Sequence, residues 1–337
     1  MQDHPKSRIR SHSSEFDLIE RFFAPLTGSG SFGLKDDAAS FTPRPGFDLV
    51  ITQDAIHQGV HFFPDTPFDL IAQRAVRSNI SDIIAKGGTP VGYTLALGLP
   101  KWVTDDDLAS LSAGLSADQN KFKISLLGGD TFATEENLTL AITMFGEVPS
   151  GKYVSRLGAQ DGDLLAVTGT IGDPYLGLKI QLSNDPSPDD ELQRALVERQ
   201  VNLAPPFGIQ SIIANFASAS MDISDGFVGD LRKLCQASGV SAVVEVSKIP
   251  ISEEAQQYLR TQERPQQVLV NMLTGGDDYQ TLFTLRADDW ENAQKQAASC
   301  GIEVAQIGTI GIGPPGKVVV LHEGVPMSFD TESYTHA

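Results

Sequence analysis

Phe68-Asp69-Leu70-Ile71-Ala72-Gln73-Arg74-Ala75-Val76-Arg77-Ser78-Asn79-Ile80-Ser81-Asp82-Ile83-Ile84 is the most regular segment of the chain. Phe68, Ile71, Ala72, Ala75, Val76, Ile80, Ile83 and Ile84 follow the i, i+3, i+4, i+7 spacing of an amphipathic helix. Asn79 falls on that apolar face and Asp82 at its edge. An unpaired carboxylate there is costly, and a metal ion would offset the cost. Gly87-Gly88 closes the helix and Pro90 stops it resuming. Working outward, residues 15–23 read as a short helix and residues 49–52 as a buried strand ending at Asp54. Beyond the helix, residues 91–99 read as a strand and 105–121 as a helix. Residues 124–127 form a strand that delivers Gly128-Gly129-Asp130 at its end, and 138–148 form a long strand.

Pro149-Ser150-Gly151 marks a domain boundary. The second half begins with a strand over 163–168, a glycine turn and a helix carrying Leu176, Leu178 and Ile180. A loop over 185–190 precedes a charged helix reaching about Arg199. Ser224 and Asp225 are natural N-caps for a helix presenting Phe227, Leu231, Leu234 and Cys235 on one face. Strands over 242–246, 280–285, 304–310 and 318–321 surround a helix at 288–299, the last two strands reading as a hairpin. The pattern predicts an α+β protein of two mixed-sheet domains, 15–150 and 151–337, behind a disordered tail over 1–14.

Composition narrows the function. The 337 residues include 25 Lys and Arg against 43 Asp and Glu, giving a formal net charge of −18. A nucleic-acid surface needs clustered basic residues, so nucleic acid and anionic membranes are excluded as partners. Neither a signal peptide nor an apolar run of ~18 residues is visible. Cys235 and Cys300 are too few for a disulfide scaffold, and a reducing cytoplasm fits them.

Acidic residues gather in short motifs that the sequence suggests are turns: Lys35-Asp36-Asp37-Ala38, Thr52-Gln53-Asp54, Asn79-Ile80-Ser81-Asp82, Gly128-Gly129-Asp130-Thr131, Asp222-Ile223-Ser224-Asp225-Gly226 and Gly275-Gly276-Asp277-Asp278-Tyr279. Any one could be a cap or turn. Together they suit magnesium, which takes oxygen ligands from a few carboxylates plus substrate phosphates. Phosphoryl transfer asks mainly for positioning and charge neutralisation. Other motifs carry less. Gly28-Ser29-Gly30-Ser31-Phe32-Gly33 matches G-x-G-x-x-G, but no strand precedes it and no helix opens after it, so it reads as a flexible turn. His57 and His61 lack a third zinc ligand; His61 reads instead as a hydrogen-bonding group near a substrate. Arg156 reads equally as a surface cation or a phosphate clamp.

In this order the motifs resemble the thiamine-monophosphate kinase family, from about Glu15 to His336. The resemblance implies an N-terminal domain that dimerises through its sheet, a C-terminal α+β domain, and ATP in a cleft between them. It implies ATP- and magnesium-dependent phosphorylation of thiamine monophosphate to thiamine diphosphate, direct and in line, with no phosphoenzyme. This is the last step of thiamine diphosphate biosynthesis. Asp37, Thr52, Gln53, Asp54, Asp82, Asp130, Asp222 and Asp225 match the family's metal ligands. Phe122, Gly129, Asp130, Arg156 and Ser224 match nucleotide positions, while His61, Asp277 and Tyr334 match positions holding thiamine monophosphate. The chain departs from the pattern at Lys35, Gln53, Asp277 and the tail around Tyr334. Ring closure of the aminoimidazole ribonucleotide synthetase type is the alternative within the wider superfamily, and cation sequestration without catalysis the alternative outside it.

Overall fold

The computed structural model describes residues 14–183 and 190–329. Tyr334, most of the tail over 1–14 and most of the loop over 185–190 lie outside them. The chain divides into two compact units, one holding the chain up to Ile83 with Thr89–Pro149, the other Ile84–Gly88 with the chain from Ser150 onward.

In the first unit, α1 (Glu15–Leu18) runs on as a wider π-type turn over Ile19–Phe23. There follow β1 (Phe47–His57), α2 (Phe68–Ala85), β2 (Thr89–Pro100), α3 (Asp105–Phe122), β3 (Ser125–Thr134) and β4 (Thr139–Pro149). The sheet order is β1-β4-β2-β3, with β1 and β2 antiparallel to β4 and β2 parallel to β3. The apolar face expected of α2 is the buried one: Ile80, Ile83 and Ile84 are fully enclosed. Each contributes about 1.5–3 kcal/mol relative to an exposed side chain. Gly146 makes room for this, since a Cβ there would sit 2.5 Å from the Ile83 side chain. Thr104 caps α3 in a reciprocal pair of bonds with Asp107.

The second unit contains β5 (Leu164–Thr168), α4 (Asp173–Gln181), α5 (Glu191–Val201), α6 (Gln210–Phe216), β6 (Ala217–Asp222), α7 (Phe227–Ser238) and β7 (Ser241–Glu245). It continues with α8 (Glu253–Thr261), α9 (Pro265–Thr274), β8 (Thr281–Leu285), α10 (Trp290–Ser299), β9 (Val304–Gly311), β10 (Val318–His322) and β11 (Val325–Pro326). Its sheet runs β11-β10-β7-β9-β5-β8-β6. Both sheets are mixed, as expected of an α+β protein. The hairpin read between the strands near 304 and 318 is corrected. Strand β7 lies between them, parallel to β10 and antiparallel to β9, so a pattern of two nearby apolar runs did not fix which edge each would take. Phe227, Leu231, Leu234 and Cys235 of α7 fill the core beside this sheet, and burial pushes the Cys235 thiol up to about 12.

Candidate active site

Three of the acidic motifs are not turns. Strand β1 continues through Thr52-Gln53-Asp54 to His57, and β3 continues through Gly128-Gly129-Asp130 to Thr134. Asp82 lies inside α2. Ladder hydrogen bonds explain the difference at 128–130: Leu95 and Ala96 of β2 pair with Gly129 and Asp130. A Cβ at Gly129 would fall 2.0 Å from the Leu95 carbonyl oxygen, so the strands approach this closely only with glycine there.

Alternation along β1 separates its residues. Thr52 and Asp54 are half-buried and Gln53 is exposed between them. The Thr52 hydroxyl donates to Asp82 Oδ2 at 2.6 Å, and the Asp54 N–H donates to Asn79 Oδ1 at 3.0 Å. Fully buried Asn79 is itself held by its amide, which donates to the Ala75 carbonyl at 2.9 Å. Helix α2 thus fixes one carboxylate group against the edge strand.

A second group lies elsewhere on the same unit. Asp36, Asp37, Gly129, Asp130 and Thr131 line a cleft of about 290 Å³, closed on its apolar side by Phe23, Leu34 and Leu95. The glycine-rich stretch beside it is tied down rather than loose. Gly28 N–H donates to Leu126 O, Ser40 N–H donates to Gly30 O, and a Cβ at Gly30 would strike the Ser40 carbonyl. Asp54 faces Ile142, Ile142 faces Leu95 and Leu95 faces Gly129 across the sheet. The two groups therefore stand in one row on opposite edges, about 14 Å apart at three strand spacings. They do not merge within this unit.

The third group joins the two acidic motifs of the second unit. Asp277 N–H donates to Ser224 O at 2.8 Å and Tyr279 N–H to Ile223 O at 2.7 Å. Asp277 and Tyr279 adopt φ of 68° and 48°, a left-handed conformation that is strained for side chains larger than glycine and typical of functional sites. Gly276 has to be glycine: its φ is 76° and a Cβ would lie 2.5 Å from the Ser224 carbonyl oxygen. Ser224 and Asp225 do not cap α7; Gly226 does, at φ 124°. Their N–H groups instead donate to Asp230 Oδ2, each at 3.0 Å, so a buried carboxylate inside the helix reaches back and holds the turn. Sequence reasoning missed Asp230; its position five residues past Asp225 was the available signal. Burial raises the Asp230 carboxyl above its ordinary range, opposed by Lys233.

Asp278 was also missed as a functional candidate. Its Oδ1 accepts from the Gly172 N–H at 2.6 Å, and its Oδ2 has no hydrogen-bond partner among the described residues. Burial pushes this carboxyl well above the usual carboxylate range, with Asp173, Asp277 and Asp230 adding to the shift and the Gly172 N–H opposing it.

The remaining candidates differ in setting. Asp222 ends β6 and is 7 % exposed. Arg156 is exposed, with no ion pair among the described residues. His61 accepts the His57 N–H at Nδ1, 3.0 Å away. Phe122 ends the apolar face of α3 at 2 % exposure, with Lys121 Nζ 4.9 Å from its ring centroid. Every donor in the three groups is a carboxylate, hydroxyl or amide oxygen, the hard set magnesium prefers. Among the described residues no three His, Cys, Asp or Glu side chains form a closed cage.

A two-domain α+β chain with glycine-linked carboxylates on both units defines the class of AIR synthase related proteins. The family model for the N-terminal domain of that class matches residues 35–148 and the one for its C-terminal domain residues 160–321. Thiamine-monophosphate kinase of Caulobacter vibrioides is 37 % identical over 300 residues, covering 88 % of this chain and 83 % of that protein. The Salmonella typhimurium enzyme is 32 % identical, covering 96 % and 98 %. A solved structure of AaThiL complexed with AMPPCP and TMP is 28 % identical with a TM-score of 0.75, covering 95 % of this chain and 97 % of that one. The chain belongs to the thiamine-monophosphate kinase family.

Proposed function

We propose that the protein transfers the terminal phosphoryl group of ATP to thiamine monophosphate, giving thiamine diphosphate and ADP. The observation that carries this reading is similarity over nearly the whole chain to thiamine-monophosphate kinases, including one solved with AMPPCP and TMP. The same relatives disfavour ring closure of the aminoimidazole ribonucleotide synthetase type.

The chemistry follows from the acceptor. A phosphate monoester has a second pKa near ~6 and is a dianion at neutral pH, so no general base is needed. Its oxygen attacks the γ-phosphorus, the bond to the β-bridging oxygen breaks, and ADP leaves with that electron pair. Magnesium, when bound, supplies the positive charge that lets two anions approach. Several such ions are needed, and Asp37, Asp130, Asp54, Asp82, Asp222 and Asp225, with the Thr52 hydroxyl and Gln53, are the residues to share in holding them. Gly129, Arg156 and Ser224 contact the nucleotide; His61, Asp277 and Tyr334 hold the acceptor. We assign residues 15–150 as the N-terminal ATP- and metal-binding domain and 151–337 as the C-terminal domain, which adds Asp222, Asp225, Arg156 and Ser224 to that binding.

Two further readings complete the proposal. Leu49 and Ile51 of β1 are exposed on the sheet face opposite α2, Ile51 at 57 %. A second copy of the chain is the occupant we assign to that face, because it continues across Thr143 and Phe145 of β4 as one broad sheet surface. Among the described residues no helix is long and apolar enough to cross a membrane, and we place the enzyme in the cytoplasm. ADP release that depends on thiamine monophosphate, at ample ATP and magnesium, tests the activity. Silence with that acceptor ends the reading.

A further inference from the structure

One of the assigned metal carboxylates is already engaged by a cation of the protein itself. Lys233 Nζ lies 2.5 Å from Asp225 Oδ2 and 2.8 Å from Asp230 Oδ1. Asp230 and Lys233 sit one turn apart on α7, so the ammonium is presented from a helix rather than a loop. Its two partners differ. Asp230 is 1 % exposed and locked by the Ser224 and Asp225 N–H groups. The Asp225 side chain is 35 % exposed and has room to turn.

We propose that Lys233 is a positioning residue that competes with magnesium for Asp225 and so sets how much metal the site requires. The inference rests on reading Asp225 as a metal ligand. An ammonium carries three donors and no acceptor, so it cannot join a coordination sphere and can only oppose one. When Asp225 turns to a divalent ion, Lys233 keeps Asp230 as its partner. That leaves neither the ammonium nor the buried carboxylate unpaired. A lysine whose role was only to brace the turn would weaken metal binding on removal; a competitor strengthens it.

Magnesium titrations of the full chain by calorimetry, with AMPPCP saturating, separate the two. Lys233→Met and Lys233→Gln, the latter still able to donate to Asp230, should bind magnesium ~3- to 10-fold more tightly than the parent, as expected for removing a like charge a few ångströms away. Arg232→Met removes the same charge from the exposed position next to Lys233 in sequence and should change affinity by less than about twofold, because exposed charges are screened by solvent and salt. Thermal midpoints measured against magnesium concentration should rank the proteins the same way. Unchanged or weaker binding in both Lys233 variants overturns the proposal, as does an equal gain in Arg232→Met. Asp225→Asn tells the two readings apart. If it binds magnesium as well as the parent, Asp225 is no ligand and the parent reading fails; if it binds weakly while the Lys233 variants show no gain, only the competition fails.

Discussion

Thr52 of the edge strand β1 donates its hydroxyl hydrogen to Asp82 of α2 across 2.6 Å, so one oxygen of Asp82 is oriented by the sheet. The carboxylate is half-buried, and its other oxygen is the one available to an ion. Asp82→Asn keeps shape and an acceptor for Thr52 but removes the charge. We expect at least ~100-fold loss of turnover with an unchanged far-ultraviolet circular dichroism spectrum. Thr52→Val removes the orienting bond and the hydroxyl ligand together while leaving the Asp82 charge in place, and should cost at least ~10-fold, in line with the loss of one hydrogen bond to a charged group. An Asp82→Asn enzyme turning over at a near-normal rate would remove Asp82 from the ligand set.

Asp278 predicts a pH dependence of stability. Its folded-state pKa is raised by burial, so between the unfolded carboxylate value, ~3.9, and the raised folded value the native chain binds more protons than the unfolded one. Stability from this group is therefore fully present below the unfolded pKa and lost as pH rises through the folded one. Asp278→Asn keeps the acceptor for the Gly172 N–H and cannot ionise. Urea unfolding should find the variant less sensitive to pH than the parent above pH ~5, with the difference gone near pH ~3. Parallel stability curves across that range would show that Asp278 is not titrating within it.

Much of this site could be read before any coordinates. The helix over α2 was legible because a single apolar stripe with Gly87 and Pro90 behind it leaves little choice. Asp82, Asp130, Asp225 and Asp277 stood out because carboxylates beside glycine or serine are dense in a chain poor in histidine, and Asp222 because it opens the same motif as Asp225. What escaped was pairing. The sequence does not say that β3 runs on past Gly129, because that depends on how closely Leu95 of β2 approaches. Nor does it say that β7 parts β9 from β10, because strand neighbours are chosen by long-range packing. Asp230 and Lys233 look like an ordinary charged face of a helix; only the fold turns them toward Ser224 and Asp225.

His61 has its tautomer set by the main chain. The His57 N–H donates to His61 Nδ1 at 3.0 Å, so that nitrogen is an acceptor and the neutral ring carries its hydrogen on Nε2. Nε2 is then the nitrogen with a hydrogen to donate, suited to an acceptor atom on a substrate. Two-bond nitrogen–proton correlation spectra should show the Nε2–H pattern for His61. His61→Ala should raise KM for thiamine monophosphate about tenfold, the worth of one hydrogen bond, with KM for ATP little changed. A ring protonated on Nδ1, or equal effects on both substrates, would refute this role.

The open face of the first unit predicts the oligomeric state. Leu49, Ile51, Gln53 and Ala55 alternate outward along β1 while Val50, Thr52, Asp54 and Ile56 turn toward α2. An apolar residue as exposed as Ile51, standing within a broad sheet face, marks an interaction surface. Light scattering should give a mass twice the 36.2 kDa of one chain. Ile51→Glu places a charge where the second sheet would lie, and desolvating an unpaired carboxylate costs several kcal/mol. That variant should run at the mass of one chain while keeping the circular dichroism of the parent, because the side chain points away from its own core. A parent that is monomeric at micromolar concentration, or an Ile51→Glu variant that stays dimeric, would mean that this face serves something other than a second copy.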